Sequence, residues 1–266
     1  MSWLGWEDDR TLADQSCVIV VSDHADEVSG AVANNLQVEG IPVVYAGPGA
    51  LGDLCVHLRG DSFAVNGQSV GGIFLRSSPE SVFGEGFAAR DRAFCDAEIR
   101  AVWLAALHLE SVLAINRYDP AAWFEAAGWP VWRWRLIEAG VPVSPFGFGD
   151  VEVQGARSWY PYRSSRAQSV PSRATRRVMG CALAQSTWKQ VSLVVCGHVL
   201  EGELSSSVES AAQLLNESGV QIAEIATDND GCVLSVNTQP RISEARTVEQ
   251  AGQLIGEAYR AHMHRW

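Results

Sequence analysis

The chain has 266 residues, 47% of them hydrophobic and 19% charged, which excludes a disordered protein, and no apolar run approaches the roughly 20 residues a membrane-spanning helix needs. Twenty Lys and Arg against 31 Asp and Glu give a net charge of −11, which opposes general binding to nucleic acid or to an anionic membrane. The opening MSWLGWEDDR lacks the basic-then-apolar pattern of a secretory signal, and the six cysteines form no C-x-x-C pair; the expected compartment is the cytoplasm, with the thiols reduced.

CVIVVS (17–22) is a continuous β-branched apolar run, the pattern of a strand buried on both faces in a parallel sheet. Ala25 to Glu39 then spaces Val28, Val32 and Leu36 as on a helix, Gly40 stops it, and IPVVYA (41–46) is the next strand, so the three make a βαβ unit. In DSFAVNGQSV the Asn-Gly pair between alternating apolar residues signals a tight hairpin. GIFLRS (72–77) is a further strand, Arg90 to Leu109 a long helix, and SVLAIN (111–116) another strand. The first 118 residues therefore read as an open α/β layer.

From Asp119 to Gly140 the chain is helix-compatible and crowded with Trp123, Trp129, Trp132 and Trp134, either an interdomain core or an interface anchor. VPVSPF (141–146) is extended. The next forty residues are rich in Gly, Ser, Pro and Arg and carry no strand-like order, so a mobile basic loop is expected there. Between Gln154 and Leu200 there is no acid, whereas Arg157, Arg163, Arg166, Arg173, Arg176, Arg177 and Lys189 are all basic. That segment is either a solvated stretch or a binding surface for an anion: an acidic peptide, a phosphate, or the acidic face of a partner protein.

QVSLVVCGHVLEGEL (190–204) gives two strands about Cys196-Gly197-His198 or one bent strand; Cys196 and His198 have no orienting acid nearby and read as packing residues. A helix over 207–218 with a serine cap and Gly219 at its end follows, then a hairpin about Asp230-Gly231, then an amphipathic helix from Thr247 to His262. His262 and His264, near the end of the chain, are expected to be frayed and exposed.

This order is similar to the ATP-grasp superfamily, particularly the ATP-grasp ligases that mature ribosomally made peptides such as graspetides. The resemblance rests on IFLRSS with Arg76 at the strand end, AFCDAEIR, LAINRYDP, the helix-to-strand run Arg135 to Ser144, and ESGVQIAEIATDNDGCVLSVNTQPR. It implies an α/β protein with a Rossmann-like open sheet over 1–118. A truncated ATP-grasp-like α+β domain follows over 119–266, with a shortened lid and the basic loop at about 154–189.

Such ligases phosphorylate a carboxylate and let an amine or hydroxyl attack the acyl phosphate, with Mg²⁺ bridging phosphate oxygens and lysines gripping the nucleotide. By resemblance the metal positions fall on Glu224, Ser235 and Asn237, of which the serine is neutral. The chain's one lysine, Lys189, matches neither gripping lysine. The resemblance therefore implies a protein that binds an anionic substrate, peptide or partner with lost or reduced ligase chemistry and no required cofactor. Arg76, Arg173, Arg176, Arg177 and Arg241 would hold the anion.

Two alternatives remain open. One is an active ATP- and Mg²⁺-dependent ligase, with Glu224 and Asn237 on the metal and Arg176 or Arg177 replacing the lysines. The other is a scaffold subunit that pairs with a complete ATP-grasp enzyme, or with itself, through the Trp123–Trp134 region.

Overall fold

A computed structural model of the chain describes residues 16–22, 26–47, 54–76, 89–116, 129–143, 146–149, 158–161, 179–182, 190–238 and 240–265. The chain divides into two compact units, one comprising Met1–Arg117 with Arg241–Trp266 and the other Tyr118–Pro240.

In the first unit, β1 (Cys17–Val21) is buried along its whole length and pairs in parallel with β2 (Val43–Ala46) on one side and β5 (Gln68–Leu75) on the other. A strand covered on both faces needs apolar residues at every position, which is what its sequence supplies. Between β1 and β2 runs α1 (Glu27–Val38), whose N-cap Asp26 accepts a hydrogen bond from the Ser29 amide and whose Val28, Val32 and Leu36 are buried. The outer edge of β5 is shared. Its first residues pair antiparallel with β4 (Ser62–Val65), which pairs with β3 (Val56–Arg59), and its later residues pair in parallel with β6 (Leu113–Ile115).

Asn66 and Gly67 both have positive φ, the two-residue turn that the Asn-Gly pair predicts. The strand β3 was not foreseen, because its single buried partner row leaves His57, Leu58 and Arg59 exposed and gives little apolar signal. α2 (Ala89–Leu107) buries Trp103, which meets Phe63 edge-on at 5.4 Å.

The last helix, α5 (Ala245–Met263), was expected with the second domain but belongs to the first unit, packed against α1 and β5. Glycine makes that packing close. A Cβ on Gly252 would lie 2.9 Å from the Ala31 Cβ, and one on Gly72 would lie 2.4 Å from the Tyr259 ring. The amphipathic pattern identifies the helix but does not say which sheet its apolar face covers.

In the second unit, β10 (Gln190–Val195), β11 (His198–Glu201), β12 (Ile222–Thr227) and β13 (Val233–Asn237) form an antiparallel sheet in the order β11-β10-β12-β13. Cys196 and Gly197, both with positive φ, form the turn between β10 and β11, so of the two readings of 190–204 the structure has the two strands, with Cys196 half-buried in the turn. α3 (Trp129–Glu138) and α4 (Ser206–Glu217) cover this sheet, with Trp132, Leu136, Val208, Ala211, Leu215, Ile225 and Val236 in one core. Residues 119–128, expected as helix, lie outside the described residues.

The Ser205 side chain caps α4 by accepting from the Val208 amide. Ser205→Ala is expected to cost about 1 kcal/mol, read as an earlier denaturant midpoint with unchanged slope.

The region expected to hold no strand order contains three strands, β7 (Phe146–Gly149), β8 (Ser158–Pro161) and β9 (Met179–Ala182), joined antiparallel in the order β7-β9-β8. Each is four residues long and carries Gly or Pro, which depresses local β propensity; the pairing is non-local and leaves no mark in the sequence. The basic loop was expected at about 154–189; β8 and β9 fall within that span, and its residues 154–157, 162–178 and 183–189 lie outside the described residues.

Candidate functional site

Each unit carries a candidate site of its own. In the second unit, β12 and β13 place Glu224 directly opposite Asn237, and Ala226 opposite Ser235. Strand alternation turns Ala223, Ile225 and Val236 toward the α4 core, so Glu224, Ser235 and Asn237 share the other face. The three residues given metal roles by resemblance are thus brought together. The Asn237 amide donates to Glu224 Oε2 at 2.9 Å, which fixes the carboxylate and leaves the amide oxygen turned away from it.

Magnesium prefers six oxygens in octahedral array and is usually held by one or two carboxylates with water and phosphate oxygens. These three residues offer one carboxylate, one amide oxygen and a neutral hydroxyl. The donor set therefore fits a magnesium ion only in part, and it lacks the second charge that bridging a triphosphate calls for.

In the first unit the parallel strands end on polar side chains: Ser22 after β1, Tyr45 in β2, Arg76 after β5 and Asn116 after β6. Carboxyl ends of parallel strands are where open α/β sheets present ligand-binding groups. Ser22 and Tyr45 share a hydroxyl–hydroxyl bond, and Asn116 is buried with φ 57°.

Arg76 was expected to meet an anionic ligand. It instead forms a two-pronged pair with Asp26: Nη2 lies 3.0 Å from Oδ1 and Nε lies 3.2 Å from Oδ2. Its side chain is only 5% exposed. Burial acts to raise the Asp26 pKa, but hydrogen bonds from Arg76 and Ser29 and the guanidinium charge outweigh it, so the carboxyl sits below its ordinary range. Sequence reading missed Asp26; the available signal was an Asp three residues before Ser29 at a helix start.

Arg241 is exposed on the segment leading into α5. Arg173, Arg176, Arg177, Lys189 and Trp123 lie outside the described residues. Of the other tryptophans, Trp132 is core, with the Arg135 guanidinium 5.2 Å from its ring centre, whereas Trp134 is 59% exposed. Trp134 shares an outward face of α3 with Val131 and Ile137.

The first unit also has a cleft of about 510 Å³ at the opposite, amino ends of its parallel strands, lined by Phe63, Val70, Ser111, Arg260, His262 and His264 among others. His262 is not frayed as expected. It is half-buried and bonded through Nε2 to the Ser111 carbonyl at 3.1 Å, which anchors the end of α5; His264 is exposed.

No family model matches the sequence, and no curated protein matches it. Solved structures do. The ATP-grasp ligase PsnB, in complex with precursor peptide PsnA2 and AMPPNP, superposes with a TM-score of 0.65 at 18% identity, over 94% of this chain and 98% of that one. The macrocyclase MdnC from Microcystis aeruginosa MRC, bound with precursor peptide MdnA, gives 0.62 at 12% identity over 90% and 99%. A Chryseobacterium gregarium RiPP-associated ATP-grasp ligase, in complex with ADP and a leader and core peptide, gives 0.60 at 10% over 91% and 97%. No helix among the described residues is long and apolar enough to cross a membrane. A mixed α/β chain of parallel and antiparallel sheets that superposes over nine-tenths of its length on these enzymes has an ATP-grasp fold, one that resembles the ligases of ribosomal peptide maturation.

Proposed function

We propose that this chain is an ATP-grasp-like protein of a peptide-modifying pathway that binds an anionic peptide with its ATP-dependent ligase chemistry lost or reduced. The observation that carries the reading is the composition of the β12–β13 face, where Ser235 stands beside the Glu224–Asn237 pair at a position where the resemblance calls for a carboxylate. A serine hydroxyl brings no charge to a divalent ion, and one lysine in 266 residues does not supply two gripping ammonium groups. The peptide partner is supported by PsnB and MdnC, both solved with precursor peptides. Its acidic character is inferred from Arg173, Arg176, Arg177 and exposed Arg241.

Two measurements test it. ATP with Mg²⁺ is expected to leave the melting temperature unmoved, whereas a ligand at 100 times its Kd would add about 2.7 kcal/mol of stability. Joint reversal of Arg173, Arg176 and Arg177 to Glu is expected to weaken binding of an acidic peptide at least about tenfold, since each charge-assisted bond contributes roughly 1.5–3 kcal/mol.

A second reading, an active ligase, is favoured by the direct opposition of Glu224 and Asn237 on one face. It predicts a magnesium-dependent rise in melting temperature with ATP that Glu224→Gln removes.

A further inference from the structure

We propose that Cys55 and His57 form half of a zinc site, completed by the same two residues of a second copy of the chain paired along strand β3. The Cys55 Sγ lies 3.4 Å from His57 Nε2. With zinc–sulfur and zinc–nitrogen bonds of 2.3 and 2.0–2.1 Å in a tetrahedron, two such ligand atoms stand roughly 3.5 Å apart, so this pair already holds the separation a zinc ion requires. Thiolate with imidazole is a donor set that favours zinc over magnesium or calcium. Both side chains are on the exposed face of the strand, because the intervening Val56 and the following Leu58 pair with the buried Val65 and Phe63.

Two ligands do not close a structural zinc site, and among the described residues no third His, Cys, Asp or Glu joins them. The backbone indicates where the other two come from. Among the described residues β3 is the last strand in its sheet order. Cys55 turns both of its backbone groups inward to Asn66, donating to Oδ1 at 2.9 Å and accepting from the Asn66 amide at 2.8 Å. In an extended strand the next residue turns the opposite way, so the Val56 N–H and C=O point to the outer edge, the template on which another strand pairs.

Antiparallel pairing about a two-fold axis at Val56 makes Val56 and its own copy the hydrogen-bonded pair. Cys55 then faces the partner's His57, and His57 faces the partner's Cys55, both in the closer, non-hydrogen-bonded class with Cβ atoms about 4.5–5.5 Å apart. The four side chains emerge on one face as a Cys₂His₂ set. Each thiol releases its proton to solvent on binding, and the two thiolates balance the charge of the ion. The site is independent of the proposed function.

The test is the mass of the full chain by light scattering in a phosphine reductant, with zinc added at one ion per two chains. The mass is expected to double from 28.8 kDa, to return to the monomer on chelation, and to be insensitive to magnesium. Cys55→Ser and His57→Ala are expected to stay monomeric with zinc, and Cys232→Ser to double like the parent. Both ligand residues are exposed, so the variants should melt with the parent in the absence of metal. One zinc per chain without a change of mass, a dimer that forms equally without zinc, or doubling that survives Cys55→Ser would each overturn the proposal.

Discussion

Gly72→Ala is expected to destabilise the first unit by about 1–3 kcal/mol or more, although it adds a single methyl group to a strand. At most strand positions the change from glycine to alanine is favourable, because it restricts the unfolded chain. Here the added Cβ would lie 2.4 and 2.5 Å from two carbons of the Tyr259 ring and 3.2 Å from a Val18 methyl. Tyr259 and Val18 are both fully buried, so neither has solvent to move into. A planar ring cannot give way like the end of a flexible chain, and relief requires α5 to lift from β5.

A double-mutant cycle isolates the contact. Tyr259→Ala alone should cost about 3–5 kcal/mol from the emptied volume. On that background Gly72→Ala should cost almost nothing, because its methyl enters the vacated space. Additive costs in urea unfolding would show that the methyl is destabilising for another reason.

That contact also marks the limit of what the sequence discloses. The elements with a strong period were legible: β1 by its unbroken apolar run, the β4–β5 hairpin by Asn66-Gly67, α4 by a serine at its start and Gly219 at its end, and the β12–β13 hairpin by its alternation about Asp230-Gly231. Long-range partners were not. Nothing in the spacing of α5 says that it returns across more than 170 residues to lie on Gly72, since periodicity records which face is apolar and not what covers it. The short strands β7, β8 and β9 failed for a related reason, because a four-residue strand with Gly or Pro is specified by its neighbours rather than by its own propensity.

The two candidate sites divide along the same line. Glu224 and Asn237 are neighbours across one hairpin, so their meeting follows from local register. The Arg76–Asp26 pair spans fifty residues and two crossovers, and from the sequence Arg76 read as a cation facing a ligand. The structure gives its charge an internal partner.

The largest electrostatic effect is expected at that pair, and it is asymmetric. Asp26→Ala leaves a guanidinium only 5% exposed without its carboxylate and removes the N-cap of α1 as well, so a loss of roughly 3–5 kcal/mol is expected. Arg76→Ala should cost less, because Asp26 is 20% exposed and keeps its bonds from Ser29. The acid limb of the stability curve carries the same signature. The Asp26 carboxyl is held below its ordinary range, so its contribution is fully present above the unfolded value of about 3.9 and is lost as pH falls through the lower folded value. Asp26→Asn keeps an acceptor at the cap but does not titrate. Its unfolding free energy should therefore be lower than the parent's near neutrality and converge with it as the pH falls below that range. Parallel curves for the two proteins would mean that the carboxylate charge contributes nothing there, and that hydrogen bonding alone fixes the arginine.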